Sequence, residues 1–229
     1  MLTMVLPREL SGQYYFRVKC DISIKEKNVD GSLKLILGTV YYDINHKKIV
    51  YDISFPEKEL WVLQDTSYFL FKKNQLVERS VSIIYPEFSV FHLVLQGGLK
   101  DYGLSEHPVI KLKEIDKQKD GIVRIYGPTS GYEDKLGKIK MLTKNRRLEA
   151  VLFYNVAGRL MSRQFFEEYK LIKGLEFPTR IVQFAYPNPE LYTTLKNDEH
   201  TLIQTTFSNV QINRTDEEYM YNYPVPNLN

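Results

Sequence analysis

Hydrophobic and polar positions alternate along most of this chain. Tyr14, Phe16, Val18, Cys20, Ile22 and Ile24 are interleaved with Tyr15, Arg17, Lys19, Asp21 and Ser23. A period of two puts the first set on one face of a strand and the second, largely polar set on the other. The segment Lys27-Asn28-Val29-Asp30-Gly31 then carries the Asp-Gly pair of a tight reversal. In residues 32–43, Leu33, Leu35, Leu37, Thr39 and Tyr41 share one face, and Lys34, Ile36, Gly38, Val40 and Tyr42 share the other. This predicts a strand covered on both sides, with Gly38 marking a bulge, a bend or a close backbone approach. After a turn at Asn45-His46-Lys47-Lys48, the residues Ile49, Tyr51, Ile53 and Phe55 alternate with Val50, Asp52 and Ser54. Pro56, which has no N–H for a ladder, ends that run. Residues 60–63 and 67–71 make a further hairpin around Gln64-Asp65-Thr66. Strand-like runs joined by short turns predict an antiparallel meander.

The period then changes. Phe88, Phe91, His92 and Leu95 fall at helical spacing, with Pro86 suited to a helix start and Gly97-Gly98 to a stop. This predicts one helix of about ten residues. Strands resume at 109–115, 122–126, 139–143, 148–154, 160–171, 179–186 and 202–212, separated mostly by turns such as Lys119-Asp120-Gly121, Asn145-Arg146-Arg147 and Ala157-Gly158-Arg159. By length alone 160–171 fits a helix as well. The reversal Tyr154-Asn155-Val156-Ala157-Gly158 favours a strand. Residues 187–200 are polar and contain proline, which predicts a long loop, and the tail 221–229 is expected to be extended. The expected fold is mainly β: one domain over 1–229, with its core at about 14–212 and a tail from 213.

Composition supports this picture. A chain of 229 residues can bury a substantial core without disulfides or metal, and its 17 Tyr and 12 Phe suit half-buried pleated surfaces. The net charge of +3 makes no case for nucleic acid and gives only weak attraction to an anionic membrane surface. No run approaches the ~18–20 continuous apolar residues of a transmembrane helix. The apolar start Met1-Leu2-Thr3-Met4-Val5-Leu6-Pro7 is too short for a complete signal peptide and lacks a basic n-region, so it reads as a remnant of one or as an added segment.

Catalytic signatures are missing: there is no nucleophile elbow, no P-loop and no dinucleotide fingerprint. His46, His92, His107 and His200 are scattered, without the convergent spacing zinc requires, so neither metal nor cofactor is expected. His92 reads as a packing or capping residue, and Cys20 as a small buried hydrophobe. The chain therefore reads as a binding protein and not an enzyme. One basic cluster, containing Lys138, Lys140, Lys144, Arg146 and Arg147, fits either a solvated hairpin or a rim facing an anionic partner. The apolar load is heavier: Phe16, Val18, Ile22, Leu33, Leu35, Leu37, Ile49, Tyr51, Ile53, Phe55, Trp61 and Leu63 on strands, with Phe88, Phe91 and Leu95 on the helix. These residues form either a packed core or the lining of an apolar pocket, and periodicity does not separate the two.

Three segments carry a resemblance: Gly38-Thr39-Val40-Tyr41-Tyr42-Asp43, Ile49-Val50-Tyr51-Asp52-Ile53-Ser54-Phe55-Pro56 and Leu60-Trp61-Val62-Leu63-Gln64-Asp65-Thr66. Their order, a glycine-bearing strand, a strand ending at proline and a strand pair with an aromatic residue, resembles the outer-membrane lipoprotein carriers of the LolA/LolB type. A helix after the first meander, Gly158, the expected Phe177-Pro178 turn and a closing strand near Phe207 extend the resemblance over about residues 14–212. It implies an incomplete, strongly curved β-barrel closed by short helices, with the apolar residues listed above lining its concave face. It further implies a periplasmic carrier of lipid or lipoprotein acyl chains, moving them towards the outer membrane and in contact with envelope transport or assembly proteins. The alternative is a non-catalytic assembly subunit that grips a protein partner with the same fold. Two departures stand out. The arginine those carriers have in the turn before the third strand is replaced here by Asn45-His46-Lys47-Lys48, and their N-terminal amphipathic helix has little room before Tyr14.

Overall fold

The computed structural model describes residues 14–82, 85–187 and 199–226. The N-terminal heptapeptide, most of the expected loop at 187–200 and the last residues of the tail lie outside the described residues.

A 13-stranded antiparallel sheet organises the chain. The first meander comprises β1 (Arg17–Lys27), β2 (Leu33–Asp43), β3 (Lys48–Phe55), β4 (Glu59–Gln64), β5 (Ser67–Lys72) and β6 (Gln75–Val81). The second comprises β7 (Ile110–Gln118), β8 (Gly121–Pro128), β9 (Ile139–Lys144), β10 (Arg147–Tyr154), β11 (Leu160–Ile172), β12 (Leu175–Ala185) and β13 (Thr201–Ile212). The spatial order is β6-β5-β4-β3-β2-β1-β13-β12-β11-β10-β9-β8-β7. The first and last strands thus meet at the centre, with Ile22 opposite Phe207 and Val18 opposite Ile212. The edges are β6 and β7, neighbours in sequence but at opposite sides of the sheet. At about 4.8 Å per strand, a flat sheet of this width would separate them by roughly 58 Å. The described residues between them cross the concave face of the curved sheet, where α1 packs on β12.

Register assigns the faces. Val18, Cys20, Ile22 and Ile24 stand opposite Tyr42, Val40, Gly38 and Ile36, and Ile49, Tyr51 and Ile53 continue that face through Leu63, Trp61 and Glu59. These side chains, with Val151, Met141 and Tyr126 from the second meander, form one inner core. Leu33, Leu35 and Leu37 do not belong to it. They pair with Lys27, Lys25 and Ser23 on the outer face, and Leu33 is 80% exposed whereas Ile36 is 5% exposed. Both faces of this strand carry apolar residues, so its inward face is chosen by its partners. Gly38 sits at a bulge, where an added Cβ would lie 2.5 Å from the Asp52 carbonyl oxygen. That close approach of β3 excludes any side chain.

Other expectations need correction. β6 was not anticipated, because Gln75–Val81 is an exposed edge strand with little alternation. Phe177 and Pro178 lie inside β12, and the reversal before it is at Lys173-Gly174, both with positive φ. The expected helix is broken: Pro86–Phe88 is a 3₁₀ turn, and α1 covers only Val90–Leu95. The break falls at Ser89, whose extended backbone and side chain cap α1 by accepting from His92 N–H. α1 ends where Gly97 adopts φ 70° and the N–H groups of Gly97 and Gly98 close back on Val94 and Leu93.

The tail is not simply extended. α2 (Glu218–Tyr221) and the residues after it fold onto the outer face of β2–β5. There Tyr221 and Tyr223 join Tyr41, Val50, Val62, Phe69 and Phe71 in a second, smaller core. Arg17 pins this strap. Its Nε donates to Asp43 Oδ2 at 2.5 Å, its Nη2 donates to Glu218 Oε1 at 2.5 Å and its Nη1 also reaches Glu218. Its guanidinium lies 4.6 Å from the Tyr221 ring centroid. Lys48 adds donations to Asn222 Oδ1 and to the Tyr223 carbonyl, both at 2.9 Å.

Replacing Arg17 with Met leaves Asp43, only 1% exposed, with a buried charge and no cationic partner. Chemical denaturation should show a loss of about 3–5 kcal/mol. The register makes a second prediction: Ile36→Ala should cost about 2–5 kcal/mol, whereas Leu33→Ser stays within about 0.5 kcal/mol. Equal costs would contradict the face assignment.

Candidate ligand-binding face

The concave face is the element of this fold with the geometry to hold a ligand. α1 lies on it, and five of its six residues, all but His92, are buried. A short helix apolar on every side requires cover on every side, which the curved sheet supplies. Phe91 meets Tyr42, Phe177 and Phe207 at ring-centroid distances of 6.2, 6.3 and 5.5 Å. Further along, Tyr102 packs edge-on against Phe153 and Phe166 and donates to Gln164 Oε1 at 3.3 Å. Residues 86–107 thus form a cover made of α1 and three 3₁₀ turns, Pro86–Phe88, Leu99–Asp101 and Leu104–Glu106.

A second hydrogen bond joins the cover to the wall at β2. Tyr42 Oη and His92 Nδ1 are 2.6 Å apart. Burial pushes the Tyr42 hydroxyl above its ordinary range, so it stays protonated and donates. Nδ1 is then the acceptor and Nε2 carries the ring proton. Burial, the largest influence, also holds the His92 imidazole below its ordinary value of 6.5, which keeps Nδ1 free to accept.

The residues singled out from the sequence divide into three groups. Val18, Ile22, Ile49, Ile53, Leu63, Phe91 and Leu95 are buried in the inner core. Phe16, Tyr51 and Trp61 are partly buried against it. Leu33, Leu35 and Leu37 lie on the outer face, while Phe55 is 46% and Phe88 37% exposed, outside that core. Phe55 is displaced by the bulge that separates Leu37 from Gly38. Phe88 precedes the break at Ser89 and meets Tyr85 and His107 instead. Phe177, Ile181 and Phe207 of the far meander and Tyr102 of the cover complete the inner face; the alternation of one strand does not reveal these neighbours.

The basic cluster also divides. Lys138 and Lys140 extend over the ring of Tyr154, and Arg147 pairs with Glu176 at 2.6 Å. Lys144 lies at the mouth of a groove at the β7–β8 and β9–β10 turns, and Arg146 lines a second, adjoining groove of about 470 Å³. That second groove runs along the inner side of β8 and β9 and is bounded by Lys100, Asp101 and Ser105 of the cover. A further groove of about 590 Å³ lies on the outer face between the strap and β4–β5. Among the described residues no cluster of His, Cys, Asp or Glu has the geometry of a metal site. Cys20 is buried, and burial raises its thiol well above the ordinary range.

No protein-family model matches the chain, and no curated protein matches it. Solved structures do. A LolA superfamily protein from Nitrosomonas europaea is 15% identical with a TM-score of 0.59, the match covering 90% of each chain. A DUF1329 family protein from Desulfovibrio piger is 13% identical with a TM-score of 0.60, covering 91% of this chain and 90% of that one. An outer-membrane lipoprotein-sorting protein domain from Vibrio parahaemolyticus is 12% identical with a TM-score of 0.59, covering 90% and 89%. At such identities the likeness is one of fold. The chain has the open, curved LolA-like sheet that the resemblance implied.

The Tyr42–His92 contact makes a pH prediction. A base held below its ordinary value contributes stability that is complete above 6.5 and declines as the pH falls from there through the folded value. An NMR titration should place the His92 midpoint below 6.5. Amide exchange in residues 90–96 should accelerate over the same range, and Tyr42→Phe should keep most of that pH dependence, because burial causes the shift.

Proposed function

We propose that this chain is a non-catalytic carrier of the bacterial envelope that takes up an apolar chain, from a lipid or a lipoprotein, between its concave face and the 86–107 cover. The observation that carries this reading is the construction of that face. A wide apolar wall is closed by a thin segment of short helical turns, joined to β2 and β11 by two partly buried side-chain hydrogen bonds, while Tyr51 and Trp61 remain only partly buried on the wall. Lifting such a cover exposes the wall, and an acyl chain restores the burial at about 0.8 kcal/mol per methylene. The LolA-like fold supports the reading, since a lipoprotein-sorting protein domain shares it. We place the carrier in the periplasm on the same basis. Its partners are then the proteins that deliver and receive the cargo.

A second reading is supported by the packing of α1. Phe91, Phe177 and Phe207 already fill the centre of the concave face. A face filled by its own chain suits an assembly subunit that grips a protein through another surface.

Trp61 is the chain's one tryptophan and lies on the concave face, so it reports occupancy directly. Titration of delipidated protein with a bromine-labelled fatty acid should quench its fluorescence with micromolar affinity, and Val94→Phe, which enlarges a buried side chain of the cover without adding a tryptophan, should weaken that affinity. An unquenched Trp61 at saturating ligand, with the fold intact, would exclude the carrier reading in favour of the assembly one.

A further inference from the structure

The groove on the inner side of β8 and β9 carries three cations from three separate elements. Lys100 comes from the cover, Arg124 from β8 and Arg146 from the β9–β10 turn. Arg124 is held in place: its Nη1 donates to Thr143 Oγ1 at 2.8 Å, and that hydroxyl donates to the Ile122 carbonyl at 3.3 Å. The rest of its guanidinium remains available to donate to an oxyanion. Among the described residues none of the three forms an ion pair. The one carboxylate in the lining, Asp101, already accepts from the Ser105 hydroxyl and from Gly103 N–H. The adjoining groove at the same two turns adds Lys117, Lys119 and Lys144 against Asp120.

On a solvated face cations alternate with carboxylates. Here they converge on a concavity, and the concavity is amphipathic. Leu112, 44% exposed, stands beside Tyr126, which belongs to the inner core. Partial exclusion of water by such a wall strengthens attraction for an anion. The outer-face cations of the same hairpin differ, since Lys138 and Lys140 extend over Tyr154.

We propose that Lys100, Arg124 and Arg146 form a binding site for a phosphate-type oxyanion, carried by the headgroup of an anionic amphiphile whose apolar part lies along Leu112 and Tyr126. The amphiphile in this assignment rests on the carrier reading; the anion does not.

The test is calorimetric titration of the full chain with lauroyl-lysophosphatidic acid below its micelle concentration, with lauroyl-lysophosphatidylcholine and with inorganic phosphate. The variants are Arg124→Gln/Arg146→Gln and, as an equal loss of charge on the outer face, Lys138→Gln/Lys140→Gln, each checked for fold by circular dichroism. Lys100→Gln alone serves if the double variant does not fold. The expected result is that lysophosphatidic acid binds at least tenfold more tightly than phosphate, weakens at least tenfold in the groove variant, and changes less than twofold in the outer-face variant. Lysophosphatidylcholine should change less than threefold in either. If phosphate binds as tightly as lysophosphatidic acid and both are lost in the groove variant, the anion site stands and the headgroup is overturned. If no lipid binds but phosphate does, through the groove arginines, the carrier reading fails and the anion site survives. Lysophosphatidic acid binding that is unchanged in a folded groove variant overturns the site.

Discussion

The pairing of the first strand with the last is the constraint from which the rest of the structure follows. β1 and β13 meet at the centre of the sheet through a ladder that runs nearly the full length of both. Each meander grows outward from that seam by antiparallel pairing of strands that are consecutive in sequence. The seam itself joins residues almost two hundred positions apart and is therefore the costly contact in chain entropy. Once it forms, β6 and β7 must occupy opposite edges, and the segment joining them has to cross the sheet. The cover over the concave face is thus a consequence of topology. Its sequence, apolar on every side in α1, fits a segment enclosed by a curved wall.

The two faces of the sheet are stabilised by different means. The inner core is almost entirely apolar and closes through stacked and edge-on aromatic rings around Phe91. The outer face of β2–β5 is apolar too, and would be a liability without the C-terminal strap. Tyr221 and Tyr223 cover it, and Arg17 ties strap to sheet by binding Asp43 and Glu218 together. Removing one partner of a buried pair leaves a charge in a poor solvent, so this contact specifies where the strap docks more than it adds net stability. The strap covers this face only in part, since a groove of about 590 Å³ remains between it and β4–β5.

Most of the fold was legible in the sequence. Period-two runs marked nearly all the strands, and Asp-Gly, Asn-Arg and Ala-Gly turns separated them. The strand choice for 160–171 was correct because a reversal directly before it favoured a hairpin. The failures have physical causes. β6 is an edge strand exposed along its whole length and paired on one side, so it needs no hydrophobic alternation. The helix was drawn too long because spacing does not reveal the capping geometry at Ser89. Phe177-Pro178 resembled a turn, but Lys173-Gly174 takes the left-handed conformations and β12 begins at Leu175.

The sequence by itself determined most of the strands, the hairpins between them and the lack of a recognisable catalytic motif, because these depend on neighbours within a few residues. It also carried the resemblance to a LolA-like sheet, since that rests on the order of local elements. Only the tertiary structure decided which face of a two-sided strand turns inward. β2 offers leucines on one side and Ile36, Val40 and Tyr42 on the other, and pairing with Val18, Cys20 and Ile22 makes the second set the core. It likewise decided that Lys100, Arg124 and Arg146, from three separate segments, share a groove. Both outcomes depend on contacts between distant segments, and the periodicity of a single strand holds no information about its partner.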